Sequence, residues 1–188
     1  MKKNIFTFLL LFLAGSGFAQ VSYGIKGGLN VSSMSVSGPT VSSKNGFHAG
    51  VYVKFSALLI AVQPELLYSQ KGYTTSVGSN DVDVRLNYLD IPVMLKVKLF
   101  PALSADIGPQ YSLLISQETE TTDNNMGNTQ NNTSLSGMNK GNLGAGVGLS
   151  LQILKVGIGA RYVFDFDDVD KNTKSKNRVF QLSGVLKF

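Results

Sequence analysis

The chain has 188 residues, enough for one domain with a core of its own. It contains no cysteine, which excludes disulfide staples and thiolate metal sites. Seventeen basic residues against twelve acidic ones give a formal charge of +5, too mild a surplus to point to nucleic acid.

The first element is expected to be an export signal. Met1-Lys2-Lys3 is a short basic stretch, positions 5–14 are apolar, and Gly15-Ser16-Gly17-Phe18-Ala19 leads to a cleavage point before Gln20. The apolar run is too short to span a bilayer comfortably, so the pattern reads as a Sec signal peptide over residues 1–19 and one exported domain over residues 20–188. Loss of Lys2 and Lys3 leaves 15 basic and 12 acidic residues, a net charge of +3. No later segment has the roughly 18 apolar residues that a transmembrane helix needs. A barrel strand, however, crosses in roughly 9–11 residues with only alternate side chains facing lipid.

The exported part alternates with a period of two, and eight strands are predicted in order. The first, 21–31, sets Tyr23, Ile25, Leu29 and Val31 against Gly24, Lys26, Gly28 and Asn30. The second, 46–55, sets Phe47, Val51, Val53 and Phe55 against His48, Gly50, Tyr52 and Lys54. The third, 58–73, sets Ile60, Val62, Leu66 and Tyr68 against Gln63, Glu65, Ser69 and Lys71. In the fourth, 85–99, Leu89, Ile91, Val93, Leu95 and Val97 oppose Tyr88, Asp90, Lys96 and Lys98. In the fifth, 103–116, Ile107, Tyr111 and Leu113 oppose Asp106, Gly108, Gln110 and Ser112. In the sixth, 142–153, five aliphatic residues and Ala145 oppose Gly144, Gly146, Gly148, Ser150 and Gln152. The seventh, 156–165, and the eighth, 177–188, repeat the rule with Arg161 and Gln181 on the polar face.

Alternation alone fits either a soluble sheet with its apolar face inward or a membrane barrel with that face outward. The connections favour the barrel. Ser56-Ala57, Phe100-Pro101 and Leu154-Lys155 are short; 32–45, 74–84, 117–141 and 166–176 are long. Short and long alternate strictly, as short periplasmic turns and longer outside loops do in outer-membrane barrels. An even strand count lets the sheet close without edges. The longest connection, 117–141, is rich in Asn and Thr with few apolar side chains, and is expected to be mobile. Aromatic residues near many strand ends, among them Tyr23, Phe47, Phe55, Phe100, Tyr162 and Phe188, fit interfacial girdles.

Several segments then resemble a known family. Tyr23-Gly24-Ile25-Lys26-Gly27-Gly28-Leu29-Asn30, Gly46-Phe47-His48-Ala49-Gly50 and Gln63-Pro64-Glu65-Leu66-Leu67-Tyr68-Ser69-Gln70-Lys71-Gly72 lead. Leu89-Asp90-Ile91-Pro92 with Lys96, then Gly108-Pro109-Gln110-Tyr111 and the terminal Phe188, follow. Over the whole exported part the chain resembles the PorT-type outer-membrane β-barrel proteins of Bacteroidota. That resemblance implies an eight-stranded up-and-down transmembrane barrel, with Phe188 as the assembly signal read by the outer-membrane insertion machinery. The namesake member supports secretion of surface proteins.

The polar face should fill a narrow lumen, where lone charges are costly and must pair. A structural ion-pair network is expected from Lys26, Glu65, Asp90, Lys96 and Arg161, with Glu65 and Asp90 as a carboxylate pair bridged by Lys96, Lys26 or Arg161. An acid/base site is the competing reading of the same carboxylates. His48, the one histidine, reads as a packing or hydrogen-bonding residue. Asp165, Asp167, Asp168 and Asp170 cluster without the spacing of a calcium loop. Gly144, Gly146 and Gly148 lack the following helix of a nucleotide fingerprint and should make room for bulky lumen neighbours. No catalytic residue, cofactor or metal is expected. The partners expected are outer-membrane lipid, the insertion machinery at the last strand, and a secretion-system or surface partner at the loops. An outer-membrane barrel enzyme and a soluble periplasmic lipocalin-like carrier are the alternatives.

Overall fold

A computed structural model describes residues 20–35, 41–77, 80–123, 128–132, 140–166 and 176–188. The expected signal peptide, 1–19, lies outside the described residues. Among the described residues nine strands follow one another: β1 (Gln20–Ser35), β2 (Val41–Ala57), β3 (Ile60–Val77), β4 (Asn80–Lys98), β5 (Leu103–Asp123), β6 (Asn128–Asn132), β7 (Gly141–Ile153), β8 (Val156–Asp165) and β9 (Lys176–Lys187).

Every pairing is antiparallel, and β9 returns to β1. Leu29 stands between Phe47 of β2 and Leu182 of β9, which closes the sheet. The wall is therefore an eight-stranded antiparallel up-and-down barrel, as expected. β6 is not part of it and pairs only with residues 119–123 of β5.

The period of two decides which way each side chain points. On β1, Leu29 is 63% exposed on the outside while its neighbour Asn30 is fully buried in the lumen. The same holds around the barrel: Ile25, Val51, Leu66, Ile91, Ile107, Leu149, Ile158 and Leu182 face out. Lys26, His48, Glu65, Asp90, Asp106 and Arg161 are buried inside. This inverts the soluble arrangement and suits a barrel whose solvent is lipid.

The short connections are Leu58-Leu59 between β2 and β3, residues 99–102 between β4 and β5, and Leu154-Lys155 between β7 and β8. The first corrects the expected turn at Ser56-Ala57, since both residues remain paired, with Ala61 and Ile60. Leu58 and Leu154 take positive φ, 51° and 56°. That sign is required at the first central residue of the turns that match strand twist, and non-glycine residues adopt it at a cost.

The long connections are shorter than the sequence implied. β3 runs to Val77 and β4 starts at Asn80, so most of 74–84 is a strand hairpin. The expected mobile segment 117–141 is likewise corrected over its described part: β5 extends through Asp123, and β6 pairs with it. β3, β4 and β5 have 18, 19 and 21 residues, whereas β7, β8 and β9 have 13, 10 and 12. The excess of β4 over a membrane crossing, at about 3.3 Å per residue, carries it roughly 25 Å further at the long-loop end. A bulge marks the step: the β4–β5 register passes from Tyr88↔Leu114 to Asn87↔Ser116, which leaves Ile115 without an opposite residue.

β4 changes its pattern at that step. From Leu89 to Val97 the odd positions are apolar and face out. Before it, the even positions Val82, Val84, Leu86 and Tyr88 are apolar and turn inward, with Val84, Leu86 and Tyr88 buried. The outer part of the strand is thus patterned like a soluble sheet, apolar side in.

Candidate functional site in the barrel lumen

The lumen is layered along β4, whose inward residues run from Lys98 at the short-turn end through Lys96, Met94, Asp90 and Tyr88 to Leu86. Each layer joins side chains from strands distant in sequence.

The middle layer is centred on Glu65. Its Oε2 accepts from Lys26 Nζ at 2.9 Å and Arg161 Nη1 at 3.0 Å. Its Oε1 accepts from Arg161 Nη2 at 2.8 Å and Gln63 Nε2 at 2.8 Å. Arg161 is on β8 and Glu65 on β3, four strands apart in either direction round the wall. The bidentate pair is therefore a strut across the lumen diameter. Four donors satisfy both carboxylate oxygens, the condition under which a buried ion pair is tolerated. Gly146 makes the space for this arm: a Cβ there would lie 3.1 Å from Arg161 Cδ. Gly146 thus admits the bulky arm expected opposite the β7 glycines, whereas a Cβ at Gly144 or Gly148 would first meet the backbone of β8.

Towards the short turns, Lys96 Nζ bonds Asp106 Oδ2 at 2.7 Å and Ser150 Oγ at 2.9 Å. Towards the long loops, Lys71 Nζ bonds Asp90 Oδ1 at 3.0 Å and Ser112 Oγ at 3.3 Å, and lies 4.6 Å above the Tyr88 ring. The expected Glu65–Asp90 pair under one cation is corrected by these contacts. Lys96 is registered directly opposite Asp106, so it takes that carboxylate. Asp90 is registered opposite Leu67, and Lys71 reaches it from four residues along β3. The five residues named from the sequence all face the lumen, but only Lys26, Glu65 and Arg161 form one cluster. Lys71 and Asp106, charges on the same polar face, complete the other two.

His48 is buried, with Nδ1 2.8 Å from Asn30 Oδ1 and Nε2 2.9 Å from Ser183 Oγ. An amide oxygen can only accept, so Nδ1 donates to it and Nε2 accepts the Ser183 hydroxyl. Asn30 Nδ2 donates to Ser69 Oγ, Phe47 O and Gln70 O. The histidine ties β1, β2 and β9 together, and an amide stands where a triad needs a carboxylate. Among the described residues no group of three His, Cys, Asp or Glu is placed to hold a metal. Asp165 is buried at the end of β8; Asp167, Asp168 and Asp170 lie outside the described residues.

Above Asp90 the lumen turns apolar. Val84, Leu86, Tyr88 and Leu114 form a buried cluster, with Tyr73 and Val82 packed against it. Around it, the Lys44–Asp83 ion pair and Arg85 at 3.4 Å from Glu120 brace the projecting strands. The sequence reading missed this cluster. Its signal is present in the apolar even positions of β4, with Val82 and Val84 ahead of the predicted start at residue 85 and Leu86 and Tyr88 just after it.

Phe188 lies on the outer face at the seam. Its N–H donates to Tyr23 O at 2.8 Å, and its ring centroid is 6.0 Å from that of Tyr23.

A family model described as outer membrane protein beta-barrel domain matches residues 18–171. No curated protein matches the chain in sequence. Among solved structures, the chain is similar to Ail, the attachment invasion locus protein of Yersinia pestis, at 14% identity and a TM-score of 0.60. It is also similar to Neisserial surface protein A (NspA), at 14% identity and a TM-score of 0.58. Each alignment covers 90% of this chain and 99% of the other, a likeness of fold.

Proposed function

Since the chain belongs to the outer membrane protein beta-barrel domain family, we propose that it works as a closed, non-enzymatic outer-membrane barrel that presents its projecting strands and loops to partners. The observation that carries this reading is the Arg161–Glu65 strut, which crosses the lumen and leaves no free polar group of its own for chemistry. Function then belongs to the long-loop end, in envelope integrity, surface interaction or support of a secretion system. The resemblance to PorT-type proteins of Bacteroidota favours the last of these. Export by a Sec signal over residues 1–19, insertion through the strand ending at Phe188, and no requirement for a cofactor or nucleic acid belong to the same proposal.

Two measurements test it. Purified protein in a planar bilayer should give no stable large-conductance steps; such steps would overturn the closed lumen. Protease shaving of intact cells should cut within 117–141. Protection of that segment, with cleavage only after the envelope is opened, would overturn the orientation.

A further inference from the structure

The short-turn end of the lumen is open. Below the Glu65 layer lies a cavity of about 530 Å³, reached between the short turns. Lys54, Lys96, Lys98 and Lys187 line it. Asp106 is the one carboxylate side chain of this end among the described residues, and Lys96 already holds it. Lys54 Nζ donates to Gln152 Oε1 at 3.3 Å, within electrostatic reach of the other three lysines and of Asp106. Among the described residues Lys54, Lys98 and Lys187 have no ion-pair partner, so one carboxylate stands against four ammonium groups around this space.

Tyr52 and Gln152 line it as well. The Tyr52 hydroxyl and the Gln152 Nε2 are enclosed within the wall, and the Gln152 oxygen accepts from Lys54. The cavity ends at Gln63, behind which is a void of about 20 Å³, the space of one water. It is a pocket, then, and its volume falls in the usual range for small ligands. A cleft of one sign of charge within low-dielectric walls concentrates counter-ions, and lysine ammonium groups suit phosphate.

We propose that this vestibule is a binding site for a phosphate-bearing anion. The phosphate belongs either to a soluble metabolite or to a phospholipid headgroup. The second source is served by the mouth of the cavity, where Leu58 and Leu154 line the rim and are, among the described residues, the two most exposed large apolar side chains. Calling this end periplasmic rests on the orientation proposed above, but binding itself does not depend on it.

The test uses purified protein in neutral phosphatidylcholine nanodiscs, titrated calorimetrically with glycerol 3-phosphate. In a parallel arm, detergent-solubilised protein is offered equal phosphatidylglycerol and phosphatidylcholine, and retained lipid is counted by native mass spectrometry. Heat in the first arm alone identifies a soluble ligand; selective phosphatidylglycerol retention alone identifies a lipid; both together mean the site accepts either. The triple variant Lys54→Ala/Lys98→Ala/Lys187→Ala should weaken the observed binding about tenfold or more, since each lost exposed pair is worth up to about a factor of five. Lys155→Ala, the same charge loss on a turn outside the cavity, should change it less than about twofold. Retained heat-modifiable gel migration shows that each variant folds, and Lys98→Glu alone, on an exposed side chain, is the milder second variant. No heat and no lipid selectivity in the wild type would overturn the proposal. So would binding by the triple variant and Lys98→Glu equal to that of Lys155→Ala.

Discussion

The two ends of one lumen are built on opposite principles. At the short turns the inward side chains are lysines around an open cavity. At the long loops they are Val84, Leu86, Tyr88 and Leu114, buried and packed against one another. The Glu65 layer divides the two. The difference teaches that "inward" is not one environment in a small barrel. Within the membrane-facing part of the wall, inward residues must be polar because the outside is apolar and the space is narrow. Past the bulge at Ile115 the outside is water, and the inward side becomes a core like any other.

The comparison is broken most severely at the dividing layer. Glu65→Ala removes the carboxylate between Lys26 and Arg161 and leaves two buried cations. Urea unfolding in micelles should register a loss of about 3–5 kcal/mol. A loss under about 1 kcal/mol would mean that solvent already reaches this layer. Leu86→Ala, in the apolar cluster, should cost about 2–4 kcal/mol by cavity formation, read in the same assay. His48→Ala should cost about 1–3 kcal/mol, since it strips a partner from both buried Asn30 and Ser183. At the open end, Lys98→Ala should change stability by less than about 0.5 kcal/mol, as expected of a side chain with no ion pair to lose. Equal costs for Leu86→Ala and Lys98→Ala would abolish the distinction between the ends.

Facing was legible from the sequence and register was not. Leu29 and Asn30 alternate, and one looks out while the other is buried in the lumen. The partner of Asn30's neighbour layers, by contrast, depends on which residue of β2 or β9 stands opposite, and nothing along the chain states this. Arg161 and Glu65 are 96 positions apart, and only closure of the sheet sets them face to face. Lys96 is one of three bridges that the sequence offers for the Glu65–Asp90 pair, yet Asp106 stands directly across from it. The turn at Leu58-Leu59 was displaced to Ser56-Ala57 because leucine carries no turn signal, and its positive φ is imposed by the hairpin. Leu113-Leu114-Ile115 hid the bulge, since three apolar residues in a row have no readable alternation.

The pattern reversal on β4 also sets a depth gauge. Asp83 and Arg85 face outward just beyond Leu89 and Ile91, so a charged band adjoins an apolar one on the same outer surface. Sinking the barrel by two residues would carry Arg85 towards hydrocarbon, at a cost rising from about 0–1 kcal/mol at the interface to about 2–4 kcal/mol at the midplane. Raising it would strip lipid from the lowest apolar ring around Leu99 and Phe100. One strand thereby registers the protein against the bilayer, much as its hydrogen bonds register it against its neighbours.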